Sequence, residues 1–140
     1  MFSHILRVLP LGIFLTLLIY PQGVLAETNL GSLNLQFPKD IKISLFAENV
    51  SRARHMAFDD HGVLFLSQAK EGKVVALPDI DKNDEADKTV PILENRDMPH
   101  GLAFAQLDEG YYLYIAEETQ VVRMKRIQKP STYGEPETII

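Results

Sequence analysis

The feature of this sequence that most restricts its fold is a succession of short strands and turns that occurs twice, about 47 residues apart. In the first copy His55-Met56-Ala57-Phe58 reads as a strand, Asp59-Asp60-His61-Gly62 as a turn, and Val63-Leu64-Phe65-Leu66 as the next strand. Glu71-Gly72 turns the chain, Lys73 to Leu77 returns, a polar acidic loop runs from Pro78 to Lys88, and Thr89 to Leu93 is a fourth strand. Such short apolar runs, rich in β-branched and aromatic residues and bounded by Gly, Asp and Asn, are strands. No stretch after the leader has helical periodicity. The second copy keeps the order: His100 to Phe104 answers the strand ending Ala57-Phe58 at an offset of 46, and Tyr112 to Ile115 answers Val63 to Leu66 at 49. Val121-Val122 answers Val74-Val75, and Ile139-Ile140 answers Ile92-Leu93, both at 47.

A four-stranded unit at this period predicts an all-β fold made of β-propeller blades. Two blades are present, and Ile41-Lys42-Ile43-Ser44-Leu45 alternates apolar and polar as a half-buried strand does. With Phe46 it fits the fourth position of a preceding blade, where it would latch a closed ring. Propellers close with roughly four to eight blades, so the chain reads as a partial β-propeller, the opening third of a larger protein. Its expected division is a leader at 1–26, an N-terminal tail at 27–40, and blades at 41–140.

The leader has the form of a signal peptide. Arg7 precedes an apolar run from Val8 to Tyr20, Pro21 and Gly23 break it, and Val24-Leu25-Ala26 places small residues before a cut at Glu27. The run is shorter than the roughly 18 residues a spanning helix needs. The product is expected in the periplasm or outside the cell, with no stable membrane anchor after cleavage. With 19 acidic against 14 basic residues and no basic cluster, nucleic acid is not an expected partner. Absence of cysteine excludes disulfides, thiolate metal sites and a lipoprotein anchor.

Few residues have the chemistry of a site. Asp79, Asp81, Asn83 and Glu85 place oxygen ligands at alternate positions, the opening spacing of a calcium loop. Asp84 stands where such a loop needs its sharp-turn glycine and Val90 where it needs a bidentate glutamate, so a solvated hairpin tip is the expected role. His61 belongs to a turn, whereas His55 and His100 each open a blade's first strand, which lines the central channel. A neutral imidazole there can act as acid, base or ligand, although a histidine bonded to loop backbone is the commoner outcome. Arg54 and His100 are the candidates for the channel mouth. Tyr111, Tyr112 and Tyr114 read as packing rather than as sugar platforms. No Ser/His/Asp order, phosphate-cradling glycine loop or His-x-x-x-His pair occurs, so hydrolase and nucleotide readings lack support.

A family resemblance rests on several of these runs together. They are Phe37-Pro38-x-x-Ile41-Lys42-Ile43-x-x-Phe46-Ala47, Arg54-x-Met56-Ala57-Phe58, Gly62-Val63-Leu64-Phe65 and Gly72-Lys73-Val74-x-Ala76-Leu77. Asp81-x-Asn83-Asp84-x-Ala86-Asp87, Pro99-His100-Gly101-Leu102-Ala103-Phe104, Tyr112-Leu113-Tyr114-Ile115-Ala116-Glu117 and Val121-Val122-Arg123 continue them. In this order they resemble the start of the soluble glucose/sorbosone dehydrogenases, the sorbosone type above all. The resemblance implies a six-bladed, exported propeller that uses pyrroloquinoline quinone (PQQ) with calcium to oxidise a sugar or aldehyde and passes electrons to an acceptor. In that family the catalytic histidine and the groups around the quinone belong to later blades, beyond Ile140, so no catalytic residue is assigned here. Asp84 replaces the glycine usual in the family's acidic loop. The expected function is therefore the N-terminal portion of a PQQ-dependent sugar or aldehyde dehydrogenase, inactive alone; the alternative is a non-catalytic binding or scaffold module of propeller type.

Overall fold

The computed structural model describes residues 25–30, 33–128 and 131–140, with side chains from Leu35 onward. The expected signal peptide lies almost wholly outside the described residues. The chain divides into two units, Met1–Ile43 and Ser44–Ile140. In the first, β1 (Leu25–Leu30) and β2 (Leu33–Pro38) form an antiparallel hairpin that crosses the expected cut after Ala26 and occupies much of the stretch read as a tail. Among the described residues no helix is long and apolar enough to cross a membrane.

The second unit is all-β. Strands β3 (Ala53–Phe58), β4 (Leu64–Gln68), β5 (Lys73–Leu77) and β6 (Val90–Leu93) form a sheet in that order, each antiparallel to its neighbour. Strands β7 (Gly101–Leu107), β8 (Gly110–Ala116) and β9 (Val121–Gln128) begin a second sheet. The long β9 is then paired twice, by β10 (Thr132–Tyr133) near its end and by β11 (Glu137–Thr138) near its start. The pairing continues past β11, since Ile139 donates to the Val121 carbonyl at 2.8 Å and Val121 to that of Ile140 at 3.2 Å. The fourth strand expected at Ile139-Ile140 therefore occupies its place, begun two residues early.

The register reproduces the sequence offsets. One row across the first sheet joins Ala57, Phe65, Ala76 and Val90; the matching row of the second joins Ala103, Tyr114, Arg123 and Glu137. The steps are the 46, 49, 47 and 47 residues read from the sequence. The loops entering β3 and β7 also share a backbone: Asn49 and Asn95 have φ of 59° and 57°, Arg52 and Met98 of 54° and 49°. Left-handed residues other than glycine are uncommon, so a second pair at the same offset marks one loop built twice.

The main core lies between the sheets, which touch chiefly through β3 and β7. Val63, Phe65, Val74 and Ala76 of the first meet Leu102, Leu113, Ile115, Val122 and Met124 of the second. Phe65, fully buried, meets Phe104 edge to face with centroids 4.9 Å apart. The repeat makes this contact heterologous. Leu113, Ile115, Val122 and Met124 correspond to Leu64, Leu66, Val75 and Leu77, which form the first sheet's other apolar face. The second sheet's outer face carries Tyr112, Tyr114 and Arg123, the counterparts of Val63, Phe65 and Ala76.

One expected strand is absent. Ile41 to Phe46 has no strand hydrogen bonding, because alternation alone does not supply a partner edge. From Ser44 onward the chain runs irregularly instead; the Phe46 carbonyl accepts the Ala86 N–H at 2.7 Å, and Phe46, Ala47, Val50 and Ala86 pack on the Leu64 face.

Candidate functional site

The Asp59-Asp60-His61-Gly62 turn shows how locally the sequence shapes these sheets. The Asp59 carboxylate accepts the N–H groups of His61 and Val63, both at 2.9 Å, and Gly62 takes φ +78°. At the opposite end of the sheets, β3 begins with a bulge. Ala53 pairs with Gln68 and His55 with Ser67, leaving Arg54 as the extra residue. A bulge re-aims the side chain it carries. Arg54 faces a cavity of about 450 Å3 that His100 also lines.

Arg54 and His100 are equivalent positions at the 46-residue offset, and more of the cavity is built in the same way. Arg52 and Met98, the paired left-handed residues, both line it, as do Ala69 and Glu118, equivalent at the 49-residue offset. Lys70 adds a further cation. The wall is thus made by the same end of both repeats, where the first strands start and the second strands finish. His100 donates from Nδ1 to the Met98 carbonyl at 3.1 Å, the bond that makes Nε2 the acceptor of the neutral ring. Arg52 pairs with Glu71 at 3.4 Å.

The scaffold behind this cavity is a buried ion pair. Arg96 grips Glu117 through two bonds of 2.5 and 3.0 Å, and Gln120 donates to the same carboxylate at 2.8 Å. The Glu117 side chain is fully buried. Arg96 also donates its N–H to the Gly72 carbonyl, which joins the turn of one sheet to the carboxylate of the other. The counterpart of Glu117 is Gln68, which bonds the Ser51 carbonyl at 2.7 Å. In both repeats the end of the second strand holds the loop before the first.

His55 lines a different, apolar pocket with Gly101 and Tyr114. Its Nδ1 accepts the Leu102 N–H at 3.2 Å, and its own N–H donates to Ser67 Oγ at 3.1 Å. The two histidines read as alike in sequence are therefore not equivalent: His55 ties one sheet to the other, while His100 borders the cavity. His61 remains in its exposed turn. Tyr112 is buried beneath Arg123, whose guanidinium stands 4.9 Å from the ring centre, and Arg126 lies 4.0 Å over Tyr111.

In the acidic loop, Asp79, Asp81 and Asp87 have carboxylate oxygens within 4.8 Å of one another. Asp87, which ends the alternating run that starts at Asp79, completes the cluster, and Glu85 is not one of the three. Asn83 donates its side-chain amide to Asp81 at 3.1 Å and accepts the Glu85 N–H at 2.8 Å. Asp79 accepts the N–H groups of Asn83 and Asp84, each at 3.1 Å. Asp84 adopts φ +68° at the position where glycine was expected. Hard carboxylate oxygens of this kind suit calcium.

A third cluster ties the far ends of the sheets. Arg126 makes a bidentate contact with Asp60 at 2.5 and 3.0 Å, and Tyr111 Oη accepts the Asp60 N–H at 2.9 Å. The Arg126 hydrogen bond holds the Asp60 carboxyl below its ordinary range. Burial raises the Tyr133 hydroxyl far above its ordinary value, assisted by the charge of Asp59. Asp59 Oδ2 and Tyr133 Oη are buried without a hydrogen-bond partner.

No protein-family model, curated protein or solved structure matches this chain.

Proposed function

We propose that the two sheets are successive blades of a six-bladed β-propeller, forming the N-terminal portion of an exported PQQ-dependent sugar or aldehyde dehydrogenase. The observation that carries the architecture is the repeated register together with heterologous packing. Each sheet has a second face equivalent to its neighbour's buried one, covered in the first sheet by Phe46, Ala47, Val50 and Ala86, and head-to-tail stacking of this kind closes a ring when the rotation permits. Support for the chemistry comes from the ordered runs from Phe37 to Arg123 that resemble the sorbosone-type dehydrogenases.

The residues present do not make a site for the family's cofactors. Arg54 and Lys70 match a carboxylate-bearing quinone in charge, but the cavity has no aromatic wall for a flat ring system and one carboxylate, Glu118, as an oxygen donor for calcium. The acidic loop lines none of this cavity. In this reading the chain would supply the channel mouth, and later blades the catalytic base and the quinone contacts.

The test is dye-linked oxidation of glucose and other aldoses with PQQ and calcium added. The 140-residue chain is expected to bind quinone weakly and to give no turnover, while the polypeptide extended through four further repeats is active. Turnover by the short chain overturns the division of labour. The alternative, a binding module of the same architecture, is favoured by Arg54 and Lys70, two cavity cations with no ion pair among the described residues. Further repeats without a blade-opening histidine would establish it. Export is tested by Edman sequencing of the secreted product, expected to begin at Glu27.

A further inference from the structure

We propose that the cavity at the leading end of the two sheets binds a small hydroxylated organic anion, one anionic oxygen group on a polyhydroxy carbon body. Its volume of about 450 Å3 lies within the range of small-molecule sites. Arg52 is neutralised by Glu71, which leaves Arg54 and Lys70. Neither side chain has a hydrogen bond or ion pair among the described residues. Two unpaired cations beside one cavity attract an anion, and the guanidinium presents a planar fork that fits a carboxylate or phosphate.

Glu118 narrows the class. A bare anion would be repelled by its carboxylate, whereas a ligand carrying hydroxyl groups donates to it. His100 Nε2, the acceptor of the neutral ring whose Nδ1 bonds Met98, provides a second such point. Ala69 and Met98 form an apolar wall for the carbon body. The inference needs only the cavity, so it stands or falls apart from the dehydrogenase reading, which is judged by turnover.

Isothermal titration of the full chain at constant ionic strength, with gluconate, glucose 6-phosphate, glucose, hexanoate and inorganic phosphate, tests it. Gluconate or glucose 6-phosphate is expected to saturate, the stronger of the two deciding between carboxylate and phosphate. Glucose, hexanoate and inorganic phosphate are expected to bind at least about tenfold more weakly, since each lacks the charge or the hydroxylated body. Arg54→Gln and Lys70→Gln are each expected to weaken binding by about tenfold or more. Arg123→Gln, on the second sheet's outer face, leaves it within about twofold. Thermal melts matching the parent's confirm that these substitutions keep the fold. Absence of saturable binding overturns the proposal, as does equal binding of glucose, hexanoate or phosphate, or full affinity in both cavity variants.

Discussion

Gly72 and Gly62 both turn the chain with positive φ, +62° and +78°, yet their surroundings differ. A Cβ on Gly62 meets nothing within 4 Å, whereas one on Gly72 stands 2.6 Å from the carbonyl oxygen of Arg96. That oxygen cannot swing away, because the Arg96 N–H is bonded to the Gly72 carbonyl and its side chain to Glu117. Gly62→Ala is expected to cost about 1 kcal/mol, the ordinary penalty of a left-handed L-residue. Gly72→Ala should cost clearly more, about 2–4 kcal/mol, and urea unfolding of the pair measures the difference. Both glycines were legible as turns; the crowding at Gly72 was not, since its neighbour lies in another turn. Arg54 and His100 were picked out singly as mouth residues, but Arg52, Lys70 and Glu118 were missed. Carrying the 46-residue offset a few residues upstream pairs Arg52 with Met98 and Arg54 with His100, the signal that was available.

At the scale of elements, the loop before β7 is held to the end of β8 by Arg96 and Glu117. Removing one partner of a buried pair strands the other's charge, while removing both can cost little. Glu117→Leu is therefore expected to destabilise by about 3 kcal/mol, since Arg96 keeps some exposure, and adding Arg96→Met should recover much of that. A double-mutant cycle by thermal melting checks it, and an additive result would contradict the coupling. Strand β5 was legible to the residue because both its faces are apolar, whereas β4 was read only as far as Leu66, since its last two residues, Ser67 and Gln68, are polar. The latch strand from Ile41 to Phe46 was misread because a period of two describes a strand's faces without providing an edge to pair with. Strand β10 was unreadable for the opposite reason, being two residues long and existing only because β9 runs far enough to receive it.

For the whole unit, cohesion depends on how one sheet meets the other. Phe65 is fully buried between Phe104 and Tyr133, so Phe65→Ala should cost about 3–5 kcal/mol, readable by chemical denaturation. The Asp60–Arg126 contact makes part of that cohesion sensitive to acid. Its folded carboxyl titrates below the ordinary value of 3.8, so the stabilisation is present above that value and is lost as pH falls through the folded one. Partial exposure of Asp60 keeps the effect small. Urea midpoints should drop between about pH 6 and about pH 3, and Arg126→Leu should flatten the drop; an unchanged slope would refute the assignment. Sequence by itself determined the strand units, their turns and the offsets between copies, because each follows from side-chain period and turn chemistry within a few neighbouring residues. Only tertiary structure decided which faces meet, that Arg54 bulges towards His100 while His55 turns to Leu102, and that Asp87 joins Asp79 and Asp81. Those outcomes depend on contacts between segments distant along the chain, whose energies no local pattern encodes.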